Sequence, residues 1–211
     1  MQGSIKGRSN ITNAKLYEKS KNIIQLDVEN FFPSITSKYI YNLWRYFFHF
    51  SDEVSTLLVN LTTLDGNLIQ GSPLSSDIAN LIFWDKEQEF VRNLQKYGLV
   101  YSRYVDDITI SSKGPVSNKS KANAIKCVHS MLKSKGLKLK HNKTQILGQN
   151  SRMIVTGNVI NDTNKVSQEY IDNVYKEINN KESGVSSLQG EVNYIGQTRP
   201  KVAKRLNKII N

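Results

Sequence analysis

The fold is decided by the stretch Ser102-Arg-Tyr-Val-Asp-Asp-Ile-Thr-Ile-Ser111. It sets two adjacent carboxylates, Asp106 and Asp107, between two apolar runs of high β-propensity, residues 99–105 and 108–110. This pattern predicts a tight β-hairpin with the two aspartates at its turn. In most sequences such an Asp-Asp pair is an ordinary turn, because aspartate tolerates left-handed backbone geometry and bonds its own main chain.

A second interpretation gives the same two carboxylates a chemical role. Held at a strand junction, they could bind divalent cations for phosphoryl transfer. That role requires a third carboxylate on a neighbouring strand and a pocket for phosphates, so the rest of the chain has to provide both.

The composition restricts the class of protein. The 211 residues are 38% hydrophobic, which is typical of a soluble chain, and they contain no apolar run long enough to cross a bilayer. The first eight residues lack the apolar core of a signal peptide, so we expect a cytoplasmic protein with no membrane partner. Cys127 is the only cysteine, which excludes an intramolecular disulfide and a cysteine zinc site.

The positive charge is concentrated in the second half of the chain. The net charge is +11, but residues 1–112 carry −1 and residues 113–211 carry +12. Between Lys113 and Lys143 there are nine lysines and no acidic residue. Such a surface favours a polyanionic partner, since lysine and arginine neutralise phosphates and release counterions. A lysine-rich surface that binds nothing is the alternative.

Hydrophobic periodicity predicts an α+β fold, in which an antiparallel sheet carries helices on one face and is followed by a small helical region. Besides the hairpin, we expect strands at residues 22–28, 137–140, 143–147 and 152–160. Helices are expected to begin near Thr36 or Ser37, at Ser51, at Pro73 (running to Tyr97), at Lys119, at Ser167, at Val185 and at Arg199. The helix at Ser51 is expected to bury Val54, Leu57, Leu58 and Leu61.

The third carboxylate is supplied by Asp27, at the end of the first predicted strand. Beside the hairpin pair it would bring three negative charges close together, which is unfavourable unless cations bind there. Two Mg²⁺ ions in such a cluster could activate an attacking hydroxyl and neutralise a leaving pyrophosphate. The sequence therefore predicts polymerase chemistry with Mg²⁺ as the cofactor and Mn²⁺ as a substitute.

Four ordered motifs resemble the palm motifs of reverse transcriptases. They are Leu26-Asp-Val-Glu-Asn-Phe-Phe-Pro-Ser-Ile35, Gln70-Gly-Ser-Pro-Leu-Ser-Ser-Asp-Ile-Ala-Asn-Leu81, Tyr104-Val-Asp-Asp107 and Gly136-Leu-Lys-Leu-Lys-His-Asn-Lys-Thr144. Two further stretches, Gly7-Arg-Ser-Asn-Ile-Thr-Asn-Ala14 and Val155-Thr-Gly157, resemble the bacterial retron type, which is related to the group II intron enzymes. Retron enzymes usually carry a histidine three residues after the Asn-Ala pair, where this chain has Leu16 or Tyr17.

The resemblance implies a division into three parts. Residues 1–21 would be a leader or partial fingers region, residues 22–161 the polymerase palm, and residues 162–211 a small helical thumb that binds nucleic acid. Reverse transcriptases also carry an upstream fingers region with a lysine and an arginine that clamp the triphosphate, and this chain begins too late to contain it. A natural short form, or another protein chain that supplies the fingers, would account for this.

The resemblance also implies roles for individual residues. Asp27, Asp106 and Asp107 would bind the metal ions, with the carbonyl of Val28 as an extra ligand, and Lys143 would protonate the leaving pyrophosphate. Phe32 would be the steric gate that excludes a 2′-hydroxyl, so deoxynucleotides would be the substrates; ordinary core packing is the alternative for Phe31 and Phe32. Gln70 and Gly71 would line the nucleotide pocket. Nucleic-acid contacts are expected from Arg8, Arg103, Lys138, Lys140, Arg152, Thr156, Lys201, Lys204 and Arg205.

The function that follows is an RNA-directed DNA polymerase of a retron or a related anti-phage defence system. Its partners would be a structured non-coding RNA, which serves as template and primer, the cDNA made from it, and dNTPs. Two alternatives stay open. The chain could be a catalytically weak RNA-binding palm within a larger complex, or a polymerase whose synthesis is untemplated or protein-primed.

Overall fold

The computed structural model describes residues 1–180 and 184–210. Its strands are β1 (Asn22–Asp27), β2 (Thr63–Leu64), β3 (Asn67–Leu68), β4 (Val100–Tyr104), β5 (Asp107–Ser112), β6 (Gln145–Gly148), β7 (Ile154–Val155), β8 (Asn158–Val159) and β9 (Lys165–Val166). Its helices are α1 (Asn10–Lys15), α2 (Phe31–Ser34), α3 (Ser37–Asn42), α4 (Asp52–Thr62), α5 (Ser75–Leu81), α6 (Glu87–Lys96), α7 (Asn118–Lys133), α8 (Gln168–Asn180), α9 (Val185–Gly196) and α10 (Pro200–Ile210). A π-helical turn (Leu43–Phe47) follows α3, and a 3₁₀ turn (His141–Lys143) precedes β6.

The central sheet is antiparallel, with the strand order β4-β5-β1-β6. Side chains alternate between its faces, so Ile24 and Leu26 of β1 enter the main core while Gln25 and Asp27 point to the opposite face. The register pairs Asp27 with Asp107. Both carboxylates therefore leave the same face of the sheet, at the ends of neighbouring strands.

Helices cover the other face of this sheet. The main core joins β1, β5 and the helices between them, and includes Ile40, Leu43, Ile78 and Phe83, which are all buried. Each such side chain contributes about 1.5–3 kcal/mol by leaving water. The predicted α+β class is thus confirmed, and the helix layer gives the strands that carry Asp27 and Asp107 a rigid support.

The face with the carboxylates is partly covered as well. A second cluster of Ala14, Tyr17, Ile23, Met153, Val155 and Ile160 joins α1 and β7 to β1. The sheet β7-β8-β9 continues through Val166, beyond the predicted boundary at residue 161. The helices α8, α9 and α10 then pack around a core of their own: Val166, Ile171, Val174, Val192, Ile195, Ala203 and Leu206. No helix among the described residues is long and apolar enough to span a membrane.

The single long helix expected from Pro73 to Tyr97 is wrong. The chain forms α5 and α6, with residues 82–86 as turns between them. Tertiary contacts override the helical pattern there, because Phe83 is drawn fully into the core and Asp85 pairs with Lys135 at 2.8 Å. The break places Glu87, the first residue of α6, where it contacts Arg103 and Tyr101 of the β4–β5 hairpin.

Two other expectations also differ from the structure. The helix α4 begins after its Ser51 cap as predicted, but it buries Ser55, Val59 and Thr62 and leaves Leu57 and Leu61 58% and 68% exposed. The exposed side is the more apolar of the two, so the sequence pattern does not indicate which side faces the core. The expected strand at residues 137–140 is reduced to one bridge, between Leu139 and Val28.

Candidate active site

The predicted hairpin is present, but its two-residue turn consists of Val105 and Asp106 rather than of the two aspartates, because Asp107 already begins β5. Val105 adopts a left-handed conformation, with φ of +59°. A β-branched residue rarely takes this conformation, which costs about 1–3 kcal/mol and persists only where the surroundings enforce it. The turn is thereby closed tightly enough to place Asp107 at the first position of β5, directly opposite Tyr104.

Lys143, at the end of the 3₁₀ turn before β6, lies beside Asp27 and Asp107. Its Nζ donates a hydrogen bond of 2.9 Å to Oδ2 of Asp27. This bond raises the pKa of Lys143, and the charge of Asp107 adds to the effect. The amine is therefore held protonated beside the carboxylate cluster.

Asp107 is the most perturbed carboxylate of the cluster. Burial raises its pKa to about 6, and the neighbouring charges of Asp106 and Asp27 act in the same direction, while Lys143 opposes them. A carboxylate that lies near two others binds a proton, or a cation, more tightly than an isolated one.

A cleft of about 310 Å³ opens in front of these groups. Its lining includes Gln25, Asp27, Asp107, Thr109, Lys143, Gln145 and Thr156. The sheet thus forms the floor, and the turn between β7 and β8 contributes Thr156 from the side. Three of these lining residues, Gln25, Thr109 and Gln145, were not predicted as site residues. Each lies two positions from a predicted one, namely Asp27, Asp107 and Lys143 respectively.

The donor set suits a hard divalent cation. Asp27 and Asp107 offer carboxylate oxygens from one face of the sheet, the ligands that Mg²⁺ prefers. Among the described residues, however, the acidic side chains do not already close into a metal cage of three or more. Asp106 lies in the turn, and its carbonyl accepts a hydrogen bond from the backbone N–H of Val28. Asp27 and Asp107 are therefore the carboxylates whose chemistry and position suit a divalent ion, and Asp106 lies next to them in the turn.

The two phenylalanines of the first motif have different surroundings. Phe31 is buried and stacks against Phe83 at 6.4 Å between ring centroids, so it is a core residue. Phe32 is half-buried and meets Phe31 edge to face. Gln70 and Gly71 lie exposed in the loop before α5, where Gly71 has a φ of +92°, and they do not line the cleft around Asp27.

The prediction that Arg103 contacts nucleic acid is wrong. Its side chain is fully buried, pairs with Glu87 at 3.0 Å, and lies 5.1 Å from the ring centroid of Phe83. A buried guanidinium needs fixed partners because its desolvation is costly. Arg103 is therefore committed to the interior and has no access to a phosphate.

The other predicted nucleic-acid contacts lie at or near the surface. Arg8, Lys138, Arg152, Lys201, Lys204 and Arg205 are exposed, and Lys140 and Thr156 are half-buried. The three residues of α10 share one helical face, because they are three and four positions apart, while Ala203 and Leu206 face the core.

The helix α1 connects this cleft to the helical region of α8, α9 and α10. The sequence did not predict this connection; it showed only that residues 7–14 resemble a retron-type stretch. The side chain of Asn10 donates to Tyr194 Oη at 2.6 Å, and Thr156 Oγ1 donates to the Asn10 carbonyl at 2.9 Å. Tyr17, near the position of the usual histidine, is buried and donates to Ser102 Oγ at 2.6 Å. One short helix thus contacts β4, the Thr156 turn and α9.

Solved structures with a similar fold are telomerases. Telomerase from Candida tropicalis matches 95% of this chain and 44% of its own with a TM-score of 0.59 and 11% identity. Telomerase from Candida albicans, in complex with a fragment of telomeric RNA, matches 88% of this chain and 40% of its own with a TM-score of 0.55 and 12% identity. The fold is that of a polymerase palm with a helical region after it.

The sequence comparisons narrow this class. Residues 1–198 match the family model described as reverse transcriptase (RNA-dependent DNA polymerase). The retron Se72 reverse transcriptase of Salmonella heidelberg is 38% identical over 74% of this chain and 42% of its own length, and the retron Ec86 enzyme of Escherichia coli is 30% identical over 97% and 64%. The chain therefore belongs to the reverse transcriptase family, on its retron-type branch. It spans only about two fifths to two thirds of these two relatives.

Proposed function

We propose that this chain is an RNA-directed DNA polymerase that copies a structured non-coding RNA by two-metal nucleotidyl transfer. The observation that supports it best is the pairing of Asp27 with Asp107 in the cleft, with Lys143 bonded to Asp27. Three elements distant in sequence converge to give acidic oxygens beside a protonated amine. Nucleotidyl transfer needs this combination, because it neutralises a triphosphate and provides a proton for the leaving group.

Each residue then has a defined task in the reaction. Asp27 and Asp107, joined by Asp106 from the turn, would hold two Mg²⁺ ions, which would supply charge neutralisation at the α-phosphate and activation of the attacking hydroxyl. A new bond forms between the primer 3′-oxygen and the α-phosphorus as the bond to pyrophosphate breaks. Lys143 gives its proton to the departing pyrophosphate oxygen, a task for which its position beside Asp27 suits it.

The choice of sugar is assigned to Phe32. It is half-buried, so its ring can pack on the core through Phe31 while its outer edge stays available to a nucleotide. A ring in this place would exclude a 2′-hydroxyl and select dNTPs. Gln70 and Gly71 would reach the base pair from the loop before α5.

The nucleic acid would be a retron-type partner RNA, together with the cDNA made on it. The exposed basic face of α10 suits a phosphate backbone, and Thr156 places a hydroxyl at the edge of the cleft. We also propose, as the resemblance to retron-type enzymes implies, that this RNA and its cDNA belong to an anti-phage defence system.

The test is incorporation of labelled dNTPs by the purified chain with Mg²⁺, alone and with any RNA or protein that co-purifies. We expect incorporation that is lost in Asp107→Asn and retained in Asp162→Asn, which changes an exposed aspartate outside the cleft and outside the four motifs. Incorporation that survives the combination of Asp27→Asn and Asp107→Asn would refute the proposed site.

A second candidate is a palm that binds RNA with little catalysis. The carboxylates of the described residues do not form a ready metal cage, which favours this candidate. It predicts salt-dependent RNA binding by a chain that incorporates no nucleotide under any of the combinations above.

A further inference from the structure

The turn formed by Val105 and Asp106 is fixed in place by residues that do not line the cleft. Val105 takes its left-handed conformation although it is β-branched, so its neighbours have to enforce it. Two independent contacts reach this residue from outside the hairpin turn. One comes from the side chain of Arg103, and the other from the backbone at Gly3.

Arg103 fixes the turn through its guanidinium. Its Nη1 donates to the carbonyl of Val105 at 2.9 Å, and its Nη2 donates to the carbonyl of Asn80 at 2.8 Å. Nε and Nη2 bind the two carboxylate oxygens of Glu87 at 3.0 and 3.2 Å. The planar fork thus connects α5, α6 and the turn in one rigid unit, which a lysine with its single ammonium centre cannot reproduce.

Gly3 fixes the turn from the other side. A Cβ at this residue would lie 2.8 Å from the backbone nitrogen of Val105 and 2.7 Å from its Cγ2. The Gly3 carbonyl accepts a hydrogen bond of 2.8 Å from Asn80, and the N–H of Gln2 donates to the carbonyl of Arg103 at 2.8 Å. The backbone of residues 2 and 3 is therefore hydrogen-bonded to the same unit. At Gly3 it contacts the turn so closely that only a hydrogen atom fits on its Cα in place of a side chain.

From these contacts we infer that Arg103 and Gly3 are positioning residues of the polymerase site, which hold the Val105 turn so that Asp106 and Asp107 are presented to the metal ions. This inference rests on the proposed function. Both residues act through the backbone of Val105 and leave the nucleic-acid surface untouched. A displacement of catalytic groups by about 1 Å can lower a rate about a hundredfold.

The first test uses Gly3→Ala, with Gly148→Ala as its matched control. Gly148 lies in the same sheet, but a Cβ there meets nothing within 4 Å. We expect Gly3→Ala to lower dNTP incorporation by at least about tenfold and to weaken Mn²⁺ binding, measured by electron paramagnetic resonance, with unchanged affinity for an RNA–DNA duplex. Wild-type incorporation and wild-type Mn²⁺ affinity in Gly3→Ala would overturn the inference.

The second test asks whether Arg103 acts through Val105. Asparagine adopts left-handed geometry far more readily than valine, so in a Val105→Asn background the turn depends less on support. We expect Arg103→Lys to reduce Mn²⁺ affinity and incorporation strongly in the wild-type chain and several-fold less in that background. Equal reductions in both backgrounds would refute the positioning role. If the wild-type chain incorporates no dNTP, the proposed function fails, and the Mn²⁺ measurements still decide this inference.

Discussion

Lys143 donates a hydrogen bond to Oδ2 of Asp27 across 2.9 Å, although 116 residues separate them in the chain. The contact is possible because β6 pairs with β1 and the 3₁₀ turn before β6 ends at Lys143. Lys143 is more than half exposed, whereas Asp27 is largely covered. The lysine can therefore exchange Asp27 for a phosphate oxygen without a change in the fold.

We expect Lys143→Ala to lower kcat for nucleotide incorporation by about 10²-fold, because a general acid contributes on this scale. Lys143→Arg keeps the charge but releases no proton near neutral pH, so it should not restore kcat. Single-turnover kinetics distinguish the two variants, and Lys96→Ala on α6 serves as the surface control. Full activity in Lys143→Arg would show that only the charge matters.

The raised pKa of Asp107 predicts how stability depends on pH without metal ions. Its pKa is about 6 in the folded chain and near 3.8 unfolded, so between these values the folded state holds a proton that the unfolded state has lost. The free energy of unfolding should therefore fall as pH rises from about 4 to about 6, by about 1 kcal/mol because the residue is partly exposed to solvent.

This dependence can be measured by urea denaturation in EDTA at a series of pH values. The variant Asp107→Asn should be more stable than the wild type above pH 6 and lose that advantage near pH 4. Added Mg²⁺ should raise the Tm of the wild type more than that of Asp107→Asn. Parallel pH profiles of the two proteins would contradict the assignment.

Substitutions of the two adjacent phenylalanines should affect different properties: sugar selectivity at Phe32 and stability at Phe31. We expect Phe32→Ala to lower the preference for dNTPs over NTPs by roughly 10–100-fold, the scale of a changed contact in a specificity pocket. Phe31→Ala removes a buried ring and should cost about 3–5 kcal/mol of unfolding free energy without changing this preference. Competition between labelled dNTP and NTP, together with denaturant titration, measures both effects.

The basic face of α10 should set the salt dependence of RNA binding. We expect the combination of Lys201→Ala, Lys204→Ala and Arg205→Ala to reduce the slope of log K against log salt by about 2–3, since each lost phosphate contact reduces it by somewhat less than one. The control removes three exposed cations around α6, Lys86, Arg92 and Lys96. An equal change of slope in both variants would show that the charge acts non-specifically.

The outward side of α4 gives a prediction about stability and association. Leu61→Ser changes a side chain that is 68% exposed, so the free energy of unfolding should change by less than about 0.5 kcal/mol. Val59→Ala, on the buried side, should cost at least about 1 kcal/mol. Leu61→Ser should also reduce self-association at high concentration, which sedimentation velocity detects, because exposed apolar patches promote contact between molecules.

The hairpin and its facing strand could be predicted because their signals are local. Alternation of period two indicates which side chains share a face, so the carboxylate at the end of the first strand and those of the hairpin were expected to lie close together. The register that pairs Asp27 with Asp107 was not predicted, because the turn was placed one residue too late. The capped start of α4 at Ser51 follows from the same kind of short-range chemistry. The exposure of Lys201, Lys204 and Arg205 agrees with helical periodicity, because Ala203 and Leu206 occupy the buried side of α10.

The remaining features depend on contacts that no local pattern contains. Arg103 resembles a surface cation in sequence, and only its pairing with Glu87 and the rings beside it makes burial favourable. The break before α6 follows from Phe83 and Asp85, each of which finds its partner elsewhere in the chain. The inward side of α4 was also mistaken, because tertiary contacts bury Ser55, Val59 and Thr62 and leave the more apolar stripe with Leu57 and Leu61 exposed.

The bond between Asn10 and Tyr194 also has a consequence for the order in which the chain is made. The two residues are 184 positions apart, and at about 5–20 residues per second roughly 10–40 s separate their synthesis on the ribosome. During that interval α1 lacks its partner on α9, and contacts of such long range are slow to form. The carboxylates of the cleft are thus synthesised well before Tyr194, which bonds to Asn10 and so supports the turn at Thr156. We therefore expect this edge of the cleft to reach its final geometry only after residue 194 has emerged from the ribosome.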